Sequence, residues 1–222
     1  MKPYRVLLFD LDGTLTDPKP GITRSVQHAL KRMGIVENDL DSLVPFIGPP
    51  LSDSFQYFYG MDDRQARQAV EFYREYFAVR GLFENAVFPG IVELLQELQM
   101  QGTRLMVATS KPTTFALRIL DHFQLSPYFE YIAGSELDGS RVKKSEVIAH
   151  VLTERSLYDK TEIVMIGDRE FDIVGAQKNG LDSIAVKYGY GTAQELESAR
   201  PTYIVETVQE LADLLAEREL VS

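Results

Sequence analysis

The run Val6-Leu7-Leu8-Phe9-Asp10-Leu11-Asp12-Gly13-Thr14 sets four apolar residues directly ahead of two carboxylates and a glycine. A short apolar run that ends in turn chemistry reads as a fully buried strand. Acidic side chains at the carboxyl end of such a strand sit where open parallel sheets bind their ligands. The same grammar recurs further along. Leu105-Met106-Val107-Ala108 precedes Thr109-Ser110-Lys111, and Ile163-Val164-Met165-Ile166 precedes Gly167-Asp168. Tyr131-Ile132-Ala133, Ser183-Ile184-Ala185-Val186 and Tyr203-Ile204-Val205 read as three further strands. Between them the apolar spacing becomes helical: Ile91, Leu94, Leu95 and Leu98; Phe115, Ile119 and Phe123; Val208, Leu211, Leu214 and Leu215. Pro89-Gly90 and Lys111-Pro112 mark two helix starts, Gly102 and Gly180 two helix stops. Strands alternating with helices predict an α/β fold, a doubly wound parallel sheet with helices on both faces.

One stretch breaks the alternation. From Thr16 to Phe88 the sequence carries helical stripes and no convincing strand: Ile22, Val26, Ala29, Leu30 and Met33, then Ala66, Ala69, Val70, Tyr73 and Phe77. Eleven of the chain's Phe and Tyr residues fall between Phe46 and Phe88. The expected organisation is an all-helical insertion, residues 16–88, in a core built from residues 1–15 and 89–222.

Composition bounds the function. A chain of 222 residues buries a core without staples, and 45% hydrophobic with 25% charged residues is a globular balance. The formal net charge of -10 repels nucleic-acid backbones and anionic membranes, so neither is an expected partner. A phosphorylated small molecule is repelled as well, unless a metal or a local cation offsets the field. The absence of cysteine excludes disulfides, thiolate metal sites and cysteine nucleophiles. Four apolar residues after Lys2 and Arg5 are too few for a signal-peptide core, and no run approaches the roughly 18 apolar residues of a membrane helix. The expectation is a cytoplasmic protein, monomeric or weakly dimeric.

The strand ends deliver a consistent chemistry. Asp10, Asp12, Gly13 and Thr14 follow the first strand, Thr109, Ser110 and Lys111 the second. Arg141, Lys143 and Lys144 follow the third, and Asp168 and Asp172 the fourth. Mg²⁺ takes carboxylate oxygens and water, which Asp10 and Asp168 can supply. The Thr109 hydroxyl and the Lys144 ammonium can hold phosphate oxygens. A metal-bound carboxylate can attack phosphorus, and Asp12 is placed to protonate the leaving oxygen and then activate water. Gly13 lets the backbone turn beside the bound phosphate. Each piece alone has an ordinary role: Asp17 before Pro18 as a cap, Asp172 as a first-turn acid, Lys143-Lys144 as a solvated pair. Their joint occurrence, in order and each after an apolar strand, outweighs those roles. The insertion offers less. Arg24 on its first helix can face a substrate anion or only solvent, and Phe46 to Leu51 is either a plain interhelix turn or a specificity loop.

The run Phe9-Asp10-Leu11-Asp12-Gly13-Thr14-Leu15-Thr16-Asp17 resembles the first motif of the haloacid dehalogenase-like hydrolase superfamily. Val107-Ala108-Thr109-Ser110-Lys111-Pro112 resembles its second motif, Lys144-Ser145-Glu146-Val147-Ile148 its lysine motif, and Ile166 to Ala176 its acidic fourth motif. The resemblance spans essentially the whole chain. It implies a Rossmann-like core with a helical cap, and an Mg²⁺-dependent hydrolase of small phosphorylated metabolites. It makes Asp10 the nucleophile and Asp12 the general acid/base. Asp10, the Asp12 backbone carbonyl and Asp168 become the metal ligands, with Asp172 acting at or near the metal through water. Thr109, Ser110, Lys144 and Gly13 become phosphate contacts. Ile47-Gly48-Pro49-Pro50-Leu51 and Tyr188-Gly189-Tyr190-Gly191-Thr192 are similar to the phosphoglycolate phosphatase-like and 5′-nucleotidase-like branch. Two positions depart from the pattern. Pro18 stands where many relatives carry Ser, and Lys143-Lys144-Ser145 replaces the usual Lys-Pro. The catalytic lysine is therefore Lys143 or Lys144, and the following Glu-Val-Ile favours Lys144.

Other readings remain. A receiver-type signalling module also joins an acidic pocket, a hydroxyl and a lysine on a doubly wound sheet, but is far shorter and lacks a helical insertion. A dehalogenase needs no acidic fourth motif. A phosphomutase or a phosphotyrosine-type phosphatase would share every motif.

Overall fold

Six of the apolar runs become strands of one parallel sheet in this computed structural model, which describes residues 4–217. In chain order the elements are β1 (Val6–Phe9), β2 (Thr16–Asp17), α1 (Lys19–Arg32), α2 (Leu51–Tyr59), α3 (Asp63–Tyr76) and β3 (Ala86–Val87). There follow α4 (Ile91–Met100), β4 (Arg104–Pro112), α5 (Thr113–His122), β5 (Tyr131–Ser135) and α6 (Lys144–Glu154). The chain ends with β6 (Ile163–Gly167), α7 (Glu170–Lys178), β7 (Asp182–Val186), α8 (Ala193–Ala199), β8 (Tyr203–Val205) and α9 (Val208–Glu217).

The large sheet has the order β5-β4-β1-β6-β7-β8 and is parallel throughout. β1 lies between β4 and β6, with Phe9 opposite both Val107 and Ile166. Strand order reverses on either side of it, so the carboxyl end of β1 is the topological switch point where such sheets bind ligands. Every residue of β1 is buried, as a strand covered on both faces requires. Side chains alternate across it. Val6 and Leu8 pack with Met106, Ala108 and Met165 under Val147, Ile148 and Val151 of α6, while Phe9 meets Phe129 edge-on.

The described residues divide into two compact units, one comprising residues through Thr16 and from Val87 onward, the other Asp17–Ala86. The helical unit buries the predicted stripes Ile22, Val26, Ala29 and Leu30 of α1 with Ala66, Ala69 and Tyr73 of α3. Asp62 caps α3 by accepting from the Arg64 and Gln65 amides, while its own amide donates to Gln65 Oε1, a complete capping box. Asp17 accepts from the Lys19 amide at 3.0 Å, the local turn role expected before Pro18.

Two expectations change. The segment read as strand-free contains β2 and β3, which pair as a two-stranded sheet. At two residues each they are too short to leave a periodic signal. The second concerns the Phe46–Leu51 loop, where both readings stood open in sequence: Phe46 and Ile47 are buried, Asp41–Phe46 is a 3₁₀ turn, and the Phe46 ring packs against Phe55, Phe58 and Tyr59.

Candidate active site

The chain leaves β1 under tight backbone control. The Asp10 amide donates to the Ile166 carbonyl at 2.9 Å, extending the pairing with β6 one residue past the strand. The Leu11 amide donates to Asp10 Oδ1 at 2.7 Å. The backbone then turns through Gly13 at φ 79, and the Gly13 amide donates to the Thr16 carbonyl at 2.8 Å. A side chain at Gly13 would be strained by its φ and would overlap the Asp168 carboxylate.

Lys144, the first residue of α6, knits three segments together. Its Nζ lies 2.8 Å from Asp10 Oδ1 and 2.8 Å from Asp172 Oδ1, and it donates to the Ala108 carbonyl at 2.9 Å. Lys143 is exposed while Lys144 is buried, so the basic pair divides cleanly into a surface residue and a site residue. Burial works against the Lys144 charge, but Asp10 and Asp172 outweigh it and hold its pKa above the ordinary lysine value.

Asp10, Asp168 and Asp172 form a buried cluster whose ligand oxygens all lie within 4.8 Å of one another. Asp172 sits in the first turn of α7, where its Oδ2 accepts from the Arg169 amide at 3.1 Å. Asp168, just past β6, accepts from the Tyr190 amide at 2.7 Å through Oδ2, while its buried Oδ1 has no hydrogen-bond partner among the described residues. Burial raises both pKa values, Asp172 to about 6 even with Lys144 beside it, and Asp168 well above the usual range because Asp172 and Asp10 add to the burial. Three clustered carboxylates with one ammonium against two of them, and a buried oxygen of the third left unpaired among the described residues, suit a divalent cation. A hard ion of this class takes carboxylate oxygens, and it would satisfy the orphaned atom at a cost the protein otherwise bears.

Asp12 stands apart from that cluster. Its Oδ2 pairs with Lys111 Nζ at 2.8 Å and its buried Oδ1 has no hydrogen-bond partner among the described residues. Burial raises its pKa above the usual carboxylate value although Lys111 opposes the shift. Its carboxylate is thus not among the clustered metal-type oxygens, and only its backbone carbonyl is left for that role. Thr109 is buried and its Oγ1 accepts from the Lys111 amide at 3.3 Å. Ser110 is half-buried, and its carbonyl accepts from Ser135 Oγ at 2.8 Å. Arg24 belongs to the helical unit, where its guanidinium donates to Glu84 at 2.9 Å.

Lys111 was missed as a site residue. With Pro112 it reads as a helix start, yet β4 runs on to Pro112, with a register irregularity between Ala108 and Pro112, before α5 begins. The signal was its place two residues after Thr109 at a strand end. The Tyr188–Thr192 segment, in sequence a branch marker only, wraps around Asp168.

The geometry has counterparts. The chain is 50% identical over 218 residues to a 5′-nucleotidase of Pseudomonas aeruginosa, covering 98% of this chain and 96% of that protein. It is 39% identical to the tyrosine-protein kinase PtkA of Mycobacterium tuberculosis over 95% of this chain and 72% of that one. A crystal structure of a predicted phosphatase from Clostridium acetobutylicum superposes with a TM-score of 0.94 at 47% identity, covering 97% of this chain and 100% of that one. The profile of the haloacid dehalogenase-like hydrolases matches residues 7–186, a span holding every carboxylate and lysine of the site. The chain belongs to the haloacid dehalogenase-like hydrolase family, and within it is a phosphatase.

Proposed function

We propose that this phosphatase is Mg²⁺-dependent, acts in the cytoplasm, and hydrolyses a small phosphomonoester through an aspartyl phosphate on Asp10. The observation that carries the reading is the buried group of Asp10, Asp168 and Asp172, with Lys144 against Asp10 and Asp172 and with Asp168 Oδ1 unpaired among the described residues. Asp10, the Asp12 carbonyl and Asp168 would hold the ion, with Asp172 beside them. When bound, Mg²⁺ would neutralise the carboxylates and the charge on the phosphoryl oxygens.

The chain's own residues do the rest. A carboxylate oxygen of Asp10 attacks phosphorus, and the ester P–O bond breaks. The raised pKa of Asp12 favours the protonated carboxyl, which gives its proton to the departing oxygen. Asp12 then takes a proton from the water that attacks the aspartyl phosphate, releasing phosphate and restoring Asp10. Lys144 and the Thr109 hydroxyl steady the phosphoryl oxygens. The helical unit acts as the cap that selects among esters, with Arg24 as its candidate anion contact.

The name of the 50% identical relative favours a nucleoside 5′-monophosphate as substrate. The similarity of the Ile47–Leu51 and Tyr188–Thr192 segments to the phosphoglycolate phosphatase-like branch makes phosphoglycolate the second reading. The test is release of inorganic phosphate from nucleoside monophosphates, phosphoglycolate, sugar phosphates, phosphotyrosine and p-nitrophenyl phosphate, before and after EDTA treatment and Mg²⁺ replacement. The expected result is activity lost with EDTA and restored by Mg²⁺, highest on a nucleotide. Full activity in metal-free buffer would overturn the mechanism. Isomerisation of a sugar phosphate without phosphate release would point to a mutase.

A further inference from the structure

The Tyr188-Gly189-Tyr190-Gly191 segment between β7 and α8 has no part in the chemistry above, yet it encloses Asp168. The Tyr190 amide donates to Asp168 Oδ2 at 2.7 Å. A Cβ at Gly189 would overlap the Asp168 side chain and the Gly13 carbonyl, and one at Gly191 would overlap the Asp168 carbonyl. Neither glycine lies in the left-handed region, so what both positions require is space. The segment is fixed at both ends. The Tyr188 hydroxyl donates to the Thr14 carbonyl at 3.0 Å, and its ring meets Phe88 edge-on at 5.1 Å. Thr192 caps α8 by accepting from the Glu195 amide, and the Glu195 carboxylate in turn takes the Arg169 guanidinium at 2.8 Å.

We infer that this segment is a positioning cradle for the metal site, resting on the reading that a divalent cation binds at Asp10 and Asp168. The Tyr190 amide occupies one carboxylate oxygen of Asp168, which leaves Oδ1 as the unpaired oxygen for the ion. The Tyr188 hydroxyl ties the cradle to the turn that carries Asp10 and Asp12, so the two ligand-bearing loops keep one spacing. Outer partners that orient a metal ligand commonly contribute 10–100-fold, in round numbers, to metal affinity.

The experiment is titration of MgCl₂ into EDTA-treated, dialysed protein, followed by calorimetry and by the shift of the thermal midpoint, with no substrate present. Gly189→Ala is expected to weaken Mg²⁺ binding about 10–100-fold. Tyr188→Phe, which removes one hydroxyl, is expected to weaken it about threefold to tenfold, and it decides the matter if the glycine variant does not fold. Tyr4→Phe is the control: the Tyr4 hydroxyl donates to Asp182 at 2.5 Å at the start of β7, so its loss should lower the metal-free midpoint and leave affinity unchanged. If Tyr188→Phe behaves as Tyr4→Phe does, the cradle is only structural and the inference falls alone. If the wild-type protein binds no Mg²⁺, the metal reading and this inference fall together.

Discussion

At the scale of single residues, Lys144 decides whether the site holds together. Its ammonium faces Asp10 and Asp172 at 2.8 Å each. Removing one partner of a buried ionic group strands the others, at about 3–5 kcal/mol. Lys144→Ala should therefore lower kcat/KM by at least about a hundredfold and lower stability in metal-free buffer, whereas Lys143→Ala, at an exposed position, should stay within about twofold of wild type. Equal effects would mean that the basic pair acts as a surface feature. The Asp12–Lys111 pair supports a finer prediction. With Asp12 as the proposed proton donor, Asp12→Asn should cost alkyl phosphates far more rate than p-nitrophenyl phosphate, whose leaving group departs without help. Lys111→Met should reproduce the same selective loss in milder form, because Lys111 only holds the carboxylate in place. Parallel loss on both ester types would remove the acid role from Asp12.

At the scale of elements, the base of the sheet shows a bond that ties strand to helix. Arg104, at the start of β4, grips Glu130 through two nitrogens at 2.7 and 2.8 Å, and Arg155, past the end of α6, holds the same carboxylate. Glu130 is thereby held at a pKa of about 2, first by Arg104 and then, against a burial cost, by Arg155. A depressed carboxylate pKa contributes stability that is complete above the unfolded value of 4.5 and is lost as pH falls towards 2. A third of the side chain is exposed, so screening limits the effect to about 1 kcal/mol. Glu130→Gln should cost that much in urea unfolding at pH 7, and the gap should close near pH 2. A gap of the same size at both pH values would show that packing, not charge, is lost. Elements of this kind were legible where burial imposed a pattern: β1 and β6 are covered on both faces and so carry unbroken apolar runs, and β7 carries one from Ile184 to Val186. β4 was legible only as far as Ala108, because beyond it the chain stays extended through polar Thr109, Ser110 and Lys111, where the pairing with β5 is irregular until Pro112 meets Ser135. Asp10, Asp168 and Lys144 were readable as side chains at the ends of patterned elements. The cradle around Asp168 was not, because it works through a backbone amide and through the absence of side chains at Gly189 and Gly191.

At the scale of the whole molecule, the acidic cluster should make stability depend on pH and, on the proposed reading, on the metal. The chain already carries a net charge of -10, and folding gathers three of its carboxylates within 4.8 Å. Asp172 moves from 3.8 to about 6, and Asp168 is raised in the same direction, both chiefly by burial. For a raised carboxylate the folded state binds more protons than the unfolded one. The stability it supports is complete below the unfolded pKa and is lost as pH rises through the folded one. Metal-free protein should therefore lose stability between about pH 5 and pH 7.5. With each pKa unit near 1.4 kcal/mol, the loss is on the order of 1–3 kcal/mol. Over that window Glu130 adds nothing, since its contribution is complete above 4.5. On the proposed reading Mg²⁺ would bind the ionised carboxylates, so it should stabilise more as pH rises, by the logarithm of its concentration over its Kd. Urea midpoints in EDTA are expected to fall from pH 5 to 7.5, and midpoints in saturating Mg²⁺ to hold level or rise. Asp168→Asn should flatten the metal-free curve, since the amide carries no charge to bury. A metal-free protein that grows steadily more stable up to pH 7.5 would mean that these carboxylates are not strained in the folded state, and that the cluster is held by something other than an expected cation.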